Sequence, residues 1–183
     1  TEFVRLLREK IPADKEVSTA VAANPNNWGS GWQASYDYSA LAHYSDYLMM
    51  MTYDEHYNGG EAGPVASIQF VENSIKYALN HTTADKVVVG IPLFGRIWSV
   101  DDRNTMGTGV AISTVNEMVD VYGATVTYDT ATESVKAEFE IKQGDRQFTV
   151  AGKVLPAGRY VVWYENDQSL QAKLNLINQY NLK

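Results

Sequence analysis

The sequence predicts an α/β fold over residues 2–98, with buried parallel strands covered by helices, followed by an α+β lobe. Three observations carry this. The run Tyr47-Leu48-Met49-Met50-Met51-Thr52-Tyr53-Asp54 is almost wholly apolar and ends abruptly in a phenol and a carboxylate. A run with no polar alternation suits a strand buried on both faces. Residues 2–98 also alternate helix, strand, helix, strand, helix, strand, the signature of right-handed βαβ units and a parallel sheet. After Trp98 the texture changes to short alternating strands joined by turns, which is antiparallel material.

Each element follows from local pattern. In residues 2–11, Phe3, Leu6, Leu7 and Ile11 fall at helical spacing, and Pro12 ends the helix. Residues 16–23 are small and β-branched, as a second buried strand requires. Residues 24–33 form a polar, Gly-rich loop that nevertheless carries Trp28 and Trp32. Residues 38–44 are a short helix leading into the central strand. Residues 55–64 make another polar loop at a strand's carboxyl end. Over 65–79, Val65, Ile68, Val71 and Ile75 share one stripe of an amphipathic helix. Residues 86–94 are predicted as a third buried strand, followed by Gly95-Arg96-Ile97-Trp98. In the lobe, 111–122 is a helix, and 124–129, 134–142, 146–150 and 159–164 are strands. Residues 169–180 form the last helix, with Leu170, Leu174 and Ile177 on one face.

Composition narrows the function. The chain has 183 residues, 45% of them hydrophobic, enough for one domain carrying an inserted lobe. A net charge of -7 argues against nucleic acid and anionic membrane as partners. No cysteine is present, so there is no disulfide framework and no thiolate metal site. No stretch approaches the length of a membrane span. The chain opens on Thr1-Glu2-Phe3 rather than methionine, which suggests a processed protein or an excised piece. Twelve Tyr and four Trp suit either ordinary cores or the apolar faces of sugar rings.

The chemistry-bearing residues gather at the ends of the predicted parallel strands. Period two puts Met49, Met51 and Tyr53 on one side of the central strand. Asp54 lies where that strand becomes a loop; it either turns toward the same mouth or is a turn aspartate capping a core strand. Trp28 and Trp32 either fold back on the core or line a ligand groove. Arg96 either binds a ligand oxygen or pairs with Asp54 or Glu55. Asp54-Glu55-His56 is a poor metal corner, since adjacent residues on a strand end point apart and no second spaced histidine supports them. Gly107-x-Gly109 lacks the rest of a phosphate loop, and no Gly-x-Ser-x-Gly elbow occurs. Asn80-His81-Thr82 fits a glycosylation acceptor, relevant only in a eukaryotic secretory setting.

The phrase Met51-Thr52-Tyr53-Asp54, a Gly-rich loop, Gly63-Pro64, an amphipathic helix, and Lys86-Val-Val-Val-Gly-Ile-Pro-Leu-Phe-Gly-Arg96 resemble glycoside hydrolase family 18. The closest flavour is that of the chitinase-like bacterial cell-wall and spore-cortex N-acetylglucosaminidases. The segment Trp163-Tyr164-Glu165-Asn166-Asp167-Gln168 resembles the family's return from its inserted lobe. The resemblance is strong over 46–98 and 159–183 and weak for the lobe. It implies a partial TIM (β/α)8 barrel, strands five to seven, over 1–98, an α+β insertion lobe over 99–160, and a return to the barrel over 161–183.

The family's acidic run on the fourth strand, Asp-x-x-Asp-x-Asp-x-Glu, occurs nowhere in these residues. By the resemblance, this is a C-terminal portion lacking that strand and the eighth. The implied substrate is an N-acetylglucosamine-containing polysaccharide, chitin or peptidoglycan, cleaved by substrate-assisted retaining chemistry without a cofactor. The alternative is a non-catalytic chitinase-like lectin. The implied catalytic residues are Tyr53, which would donate to the acetamide oxygen, and Asp54, which would hold the distorted sugar. Met51 would floor the pocket and Arg96 would contact a sugar or a neighbouring acid. Trp98, Trp28 and Trp32 are candidates for sugar stacking. The implied location is secreted, or associated with the cell wall or spore. Three parallel strands cannot close a barrel, so self-association through their edges, or a rearranged edge, is expected.

Overall fold

The computed structural model describes residues 1–103 and 105–183. The chain has a mixed α/β fold of two compact units. One comprises residues 1–53, 69–91 and 173–183; the other comprises 54–68 and 92–172.

The first unit is built on an open parallel sheet. Its strands are β1 (Ser18–Ala22), β2 (Tyr47–Met51) and β3 (Val87–Val89), in that order. Asp46 fixes where pairing begins: its carboxylate accepts from the Val17 amide at 2.6 Å, while its own amide donates to the Val17 carbonyl. Ser18 then opposes Tyr47, and every later pair follows. Arg8, on helix α1 (Glu2–Lys10), donates to the same Asp46 carboxylate and to the carbonyls of Ile11, Pro12 and Lys15, which collects the carbonyls left open beyond the helix end. Helix α2 (Tyr38–Tyr44) starts on Asp37, whose carboxylate accepts from the Ala40 amide. Lys86 reaches the Ala42 and Ser45 carbonyls after that helix ends.

Helix α2 and helix α3 (Ile68–Leu79) bury Leu41, Ala42, Val71, Ile75 and Ala78 with Val21, Leu48, Met50 and Val87. Tyr38 donates to the Ala22 carbonyl at 2.6 Å and meets Tyr77 edge-on at 5.1 Å; burial pushes its phenol pKa up.

The expectation that the central strand is buried on both faces is corrected. Leu48 and Met50 are fully buried, but Met49, on the other face, is 42% exposed. In register, Ala20, Met49 and Val88 form one row. A three-stranded sheet with helices on one side leaves this row uncovered.

The second unit holds a five-stranded antiparallel sheet, ordered β5-β4-β10-β7-β6. The strands are β4 (Phe94–Ser99), β5 (Met106–Ala111), β6 (Thr125–Asp129), β7 (Ser134–Ile141) and β10 (Gly158–Tyr164). A hairpin of β8 (Thr149–Val150) and β9 (Lys153–Val154) stands beside it. Helix α4 (Ile112–Tyr122) drives Val115 and Met118 into a core with Ile97, Ala137 and Val162. Its Gly123 C-cap takes φ +59, where glycine carries no side-chain penalty. Helix α5 (Asp167–Gln179) runs from the second unit into the first.

Two differences from the predicted elements matter for the site. The predicted strand over 86–94 is not one strand. It breaks after Val89, and Phe94 begins a separate strand of the antiparallel sheet. Pro92, which has no N–H to give a ladder, lies in the break. Arg96 therefore sits mid-strand in β4, opposite Trp163 and Gly109, rather than at the end of a parallel strand. The Gly107-x-Gly109 segment, without meaning as a phosphate loop, is part of β5.

The chain end is tied down by a charged bond. Tyr180 donates to Glu72 at 2.8 Å, and Lys76 pairs with the same carboxylate. The Tyr180 hydroxyl, then Lys76, hold the Glu72 carboxyl below its ordinary range. A carboxyl lowered in the fold contributes stability above its unfolded value of about 4.3, and that contribution is lost as pH falls through the folded value. Tyr180→Phe is therefore expected to cost about 1 kcal/mol at neutral pH and to reduce the further loss on acidification. Urea unfolding above and below the carboxylate range checks this; an unchanged acid loss would remove the bond as its source.

Candidate active site

The end of β2 is set by backbone economy. The Met50 carbonyl accepts from both Thr52 and Gly90 amides, and the Thr52 hydroxyl donates to the Gly90 carbonyl at 2.6 Å. A Cβ on Gly90 would stand 2.7 Å from the Met50 carbonyl oxygen and 3.2 Å from the Tyr53 ring, so only glycine lets the strands close up here. With Thr52 buried, Met51 and Tyr53 fall on the opposite, less covered side, partly exposed. Tyr53 closes the first unit and Asp54 opens the second.

Asp54 has φ +62, a left-handed conformation that aspartate tolerates better than most residues. The turn aims its carboxylate at Arg96. Both Nε and Nη2 of Arg96 donate to one oxygen, Oδ1, at 2.9 and 2.7 Å, and Nη1 donates to the Gly107 carbonyl. The guanidinium is 13% exposed and the carboxylate 39%. The second Asp54 oxygen, Oδ2, has no hydrogen-bond donor among the described residues. The arrangement is a carboxylate fixed in direction by a cation on one oxygen and open to solvent on the other. Of the two readings of Arg96, the structure shows the pairing with Asp54.

Glu55 and His56 are occupied elsewhere. The Glu55 carboxylate accepts from the Ser67 amide and hydroxyl, its amide donates to the Val65 carbonyl, and a ring nitrogen of His56 meets the Pro64 carbonyl. These bonds close residues 55–67 into a braced loop. Trp98 braces it further: its indole N–H donates to the Gly60 carbonyl at 3.0 Å, and the side chain is 3% exposed. The Gly59 amide donates to the Met106 carbonyl of β5.

Trp28 and Trp32 belong to the first unit and stay at its surface, 40% and 63% exposed. The buried Asn24 clamps this loop, accepting from the Trp28 amide and donating to the Trp28 carbonyl. The two indoles are thus presented outward on a held loop rather than folded into the core.

Sequence reasoning missed Gly107. Its φ is +74, and a Cβ there would lie 2.5 Å from the Tyr57 carbonyl oxygen. The residue turns its own carbonyl onto Arg96 at a register shift between β4 and β5. The two close glycines were the signal available, as the mark of a bulged strand rather than of a phosphate loop.

A family model described as glycosyl hydrolases family 18 matches residues 1–183. A Bacillus subtilis protein named as the uncharacterized glycosylase YvbX is 32% identical over 171 residues, covering 92% of this chain and 46% of that protein. The cortical fragment-lytic enzyme of Bacillus subtilis is 31% identical over 186 residues, covering 100% of this chain and 40% of that enzyme. The solved structure of a chitinase from Chromobacterium violaceum has a TM-score of 0.79 at 27% identity, covering 99% of this chain and 53% of that one. The chain spans less than half the length of the two curated relatives. Fold and matches place it among the glycoside hydrolases. Within that class, the chain belongs to glycosyl hydrolases family 18.

Removing Asp54 leaves a largely desolvated guanidinium without its counter-charge. Asp54→Ala is expected to cost about 1–3 kcal/mol in chemical denaturation, and Asp54→Asn less, because an amide oxygen still accepts from Arg96. Equal stability of wild type and Asp54→Ala would show that the pair does not hold the loop.

Proposed function

We propose that the protein containing these residues hydrolyses β-1,4-linked N-acetylglucosamine polymers, chitin or peptidoglycan, by substrate-assisted retaining catalysis. The observation that carries this is the Asp54 carboxylate at the end of β2, held by Arg96 on one oxygen and open on the other. In this reaction class the substrate's own acetamide oxygen attacks the anomeric carbon, so the enzyme must orient the acetamide and stabilise developing positive charge. Tyr53 donates its hydroxyl to that oxygen. Asp54 offers its open oxygen to the distorted sugar and contributes negative charge where positive charge develops. Met51 floors the acetamide pocket. Arg96 orients Asp54. Trp28 and Trp32 offer apolar faces to sugar rings, and Trp98 works by bracing the 55–67 loop.

On this reading residues 1–98 supply strands five to seven of a (β/α)8 barrel, 99–160 are its insertion lobe, and 161–183 return to the barrel. A family member named for lysis of cortical fragments supports cleavage rather than binding alone, and supports a location at the cell wall or spore. The general acid is proposed to lie on the fourth strand, outside these residues, where a group of that kind contributes about 10²–10⁴-fold in rate.

The 183-residue chain alone is therefore expected to give no turnover of a fluorogenic N-acetylglucosamine oligomer, while the full-length protein does. Tyr53→Phe in the full-length protein should lower kcat by about 10²–10³-fold, as loss of an oriented donor does. Turnover by the isolated chain, or an unaltered kcat in Tyr53→Phe, would sink the assignment.

The 183-residue chain is also proposed to self-associate. β1 and β3 are sheet edges, and the Met49 row is an uncovered apolar face. Light scattering across a concentration series is expected to show association; a monodisperse monomer throughout would count against it.

A further inference from the structure

A second binding feature lies in the second unit. A pocket of about 320 Å³ opens between the 55–67 loop, β5 and the β8–β9 hairpin, at the lower end of the size that takes a small ligand. Its floor is apolar, with Val150 and Leu155 buried. Its rim is polar: Asn58, Thr105 and Thr108, with two cations, Arg103 and Lys153. Among the described residues, no acidic side chain lines it.

In a chain of net charge -7, that lining is unusual. Most cations elsewhere are committed: Arg5, Arg8, Arg96, Arg146 and Arg159 to carboxylates, and Lys86 to backbone carbonyls. Lys10 and Lys142 are exposed and line no part of this pocket. Arg103 and Lys153 have no ion-pair partner among the described residues. The nearby Asp101 does not pair with them. It is taken by Arg159, through Oδ1 to Nε and Nη2 and through Oδ2 to the backbone amide.

The site is also rigidly built. Ala151 and Gly152, both at positive φ, form the two-residue turn between β8 and β9 that places Lys153 on the rim. Met106 and Thr108 flank Gly107, whose carbonyl holds Arg96 against Asp54. One strand thus serves both the pocket and the carboxylate of the candidate active site.

We propose that this pocket binds a carboxylate-bearing substituent of the glycan, a lactyl ether or a short peptide attached through one. The short aliphatic part would rest on Val150 and Leu155, and the carboxylate would lie against Arg103 and Lys153. The proposal rests on the glycan reading above and names the feature that selects an acidic chain over a neutral one.

Calorimetric titration of the full-length protein tests it with four disaccharide probes. These are N-acetylglucosamine linked β-1,4 to N-acetylmuramic acid, the same compound with its carboxyl reduced to an alcohol, the same compound carrying an alanyl-glutamate peptide, and di-N-acetylchitobiose. The acidic disaccharide is expected to bind about tenfold more tightly than its reduced form, and Arg103→Gln with Lys153→Gln should bring that ratio near one without changing affinity for chitobiose. Stronger binding of the peptide-bearing probe assigns the peptide carboxylate as the ligand; stronger binding of the free acid assigns the lactyl group. Equal wild-type affinity for acidic and reduced forms overturns the pocket while leaving the glycan reading intact. So does a ratio that survives in the double variant. If chitobiose and the reduced probe fail to bind while the acidic probe binds through Arg103 and Lys153, the glycan reading falls and the carboxylate site stands. If no probe binds, both fall.

Discussion

The second unit turns on the need to satisfy one poorly hydrated guanidinium. Arg96 points from the middle of β4 with little access to water, so its donors must find acceptors in the protein. Asp54 supplies one oxygen for two of them, and Gly107 supplies a carbonyl for a third. Both acceptors take positive φ to do so: Gly107 at +74, which glycine adopts freely, and Asp54 at +62, which is uncommon for a residue with a side chain. Left-handed residues persist where their surroundings over-determine them. Here the determinant is a planar fork that has to be met from two directions. A lysine would not substitute, since a single ammonium cannot present that fork. The loop that begins at Asp54, the strand β4 and the bulged strand β5 are thereby fixed around one charge.

Much of the first unit was legible because its signals are local. Helix periodicity marks α1 and α3, and the apolar run marks β2; these patterns do not depend on what packs against them. The reading failed where a tertiary choice decides. Residues 87–94 carry no polar side chain, so nothing in their alternation separates a parallel strand ending at Val89 from an antiparallel one starting at Phe94; Gly90 and Pro92 are the local marks. β5 escaped because Met106-Gly107-Thr108-Gly109 has no alternation for a strand rule to find. Full burial of Met49 was inferred from composition, yet burial belongs to what covers a strand, and in this unit the second face has no cover.

The candidate site divides in the same way. That Tyr53 and Asp54 end a strand could be read from the residues. That Arg96 meets Asp54 could be stated only as one of two alternatives, since the two lie 42 positions apart and sequence carries no distance. The tryptophans are instructive. Trp98 is buried and Trp28 and Trp32 are exposed, and no property of the residue type sorts them. The sorting comes from position: Trp98 lies on a core-facing step of β4, whereas Trp28 and Trp32 lie on a loop clamped by Asn24.

Charge placement links the two features of the second unit. An acidic chain repels anions on average, yet net charge describes the far field and not a pocket a few ångströms across. What decides local preference is which cations remain uncommitted after internal pairing. Arg96 is spent, so it orients a carboxylate and has nothing left to attract one. Arg103 and Lys153 are unspent, so they can. Both arrangements depend on β5: its Gly107 turns a carbonyl to Arg96, and its Met106 and Thr108 form the wall beneath Arg103 and Lys153. The bulge that lets Gly107 face inward therefore sets the positions of its two neighbours as well. A change in that bulge would reach the held carboxylate and the cationic pocket together, because the same three residues of backbone shape both.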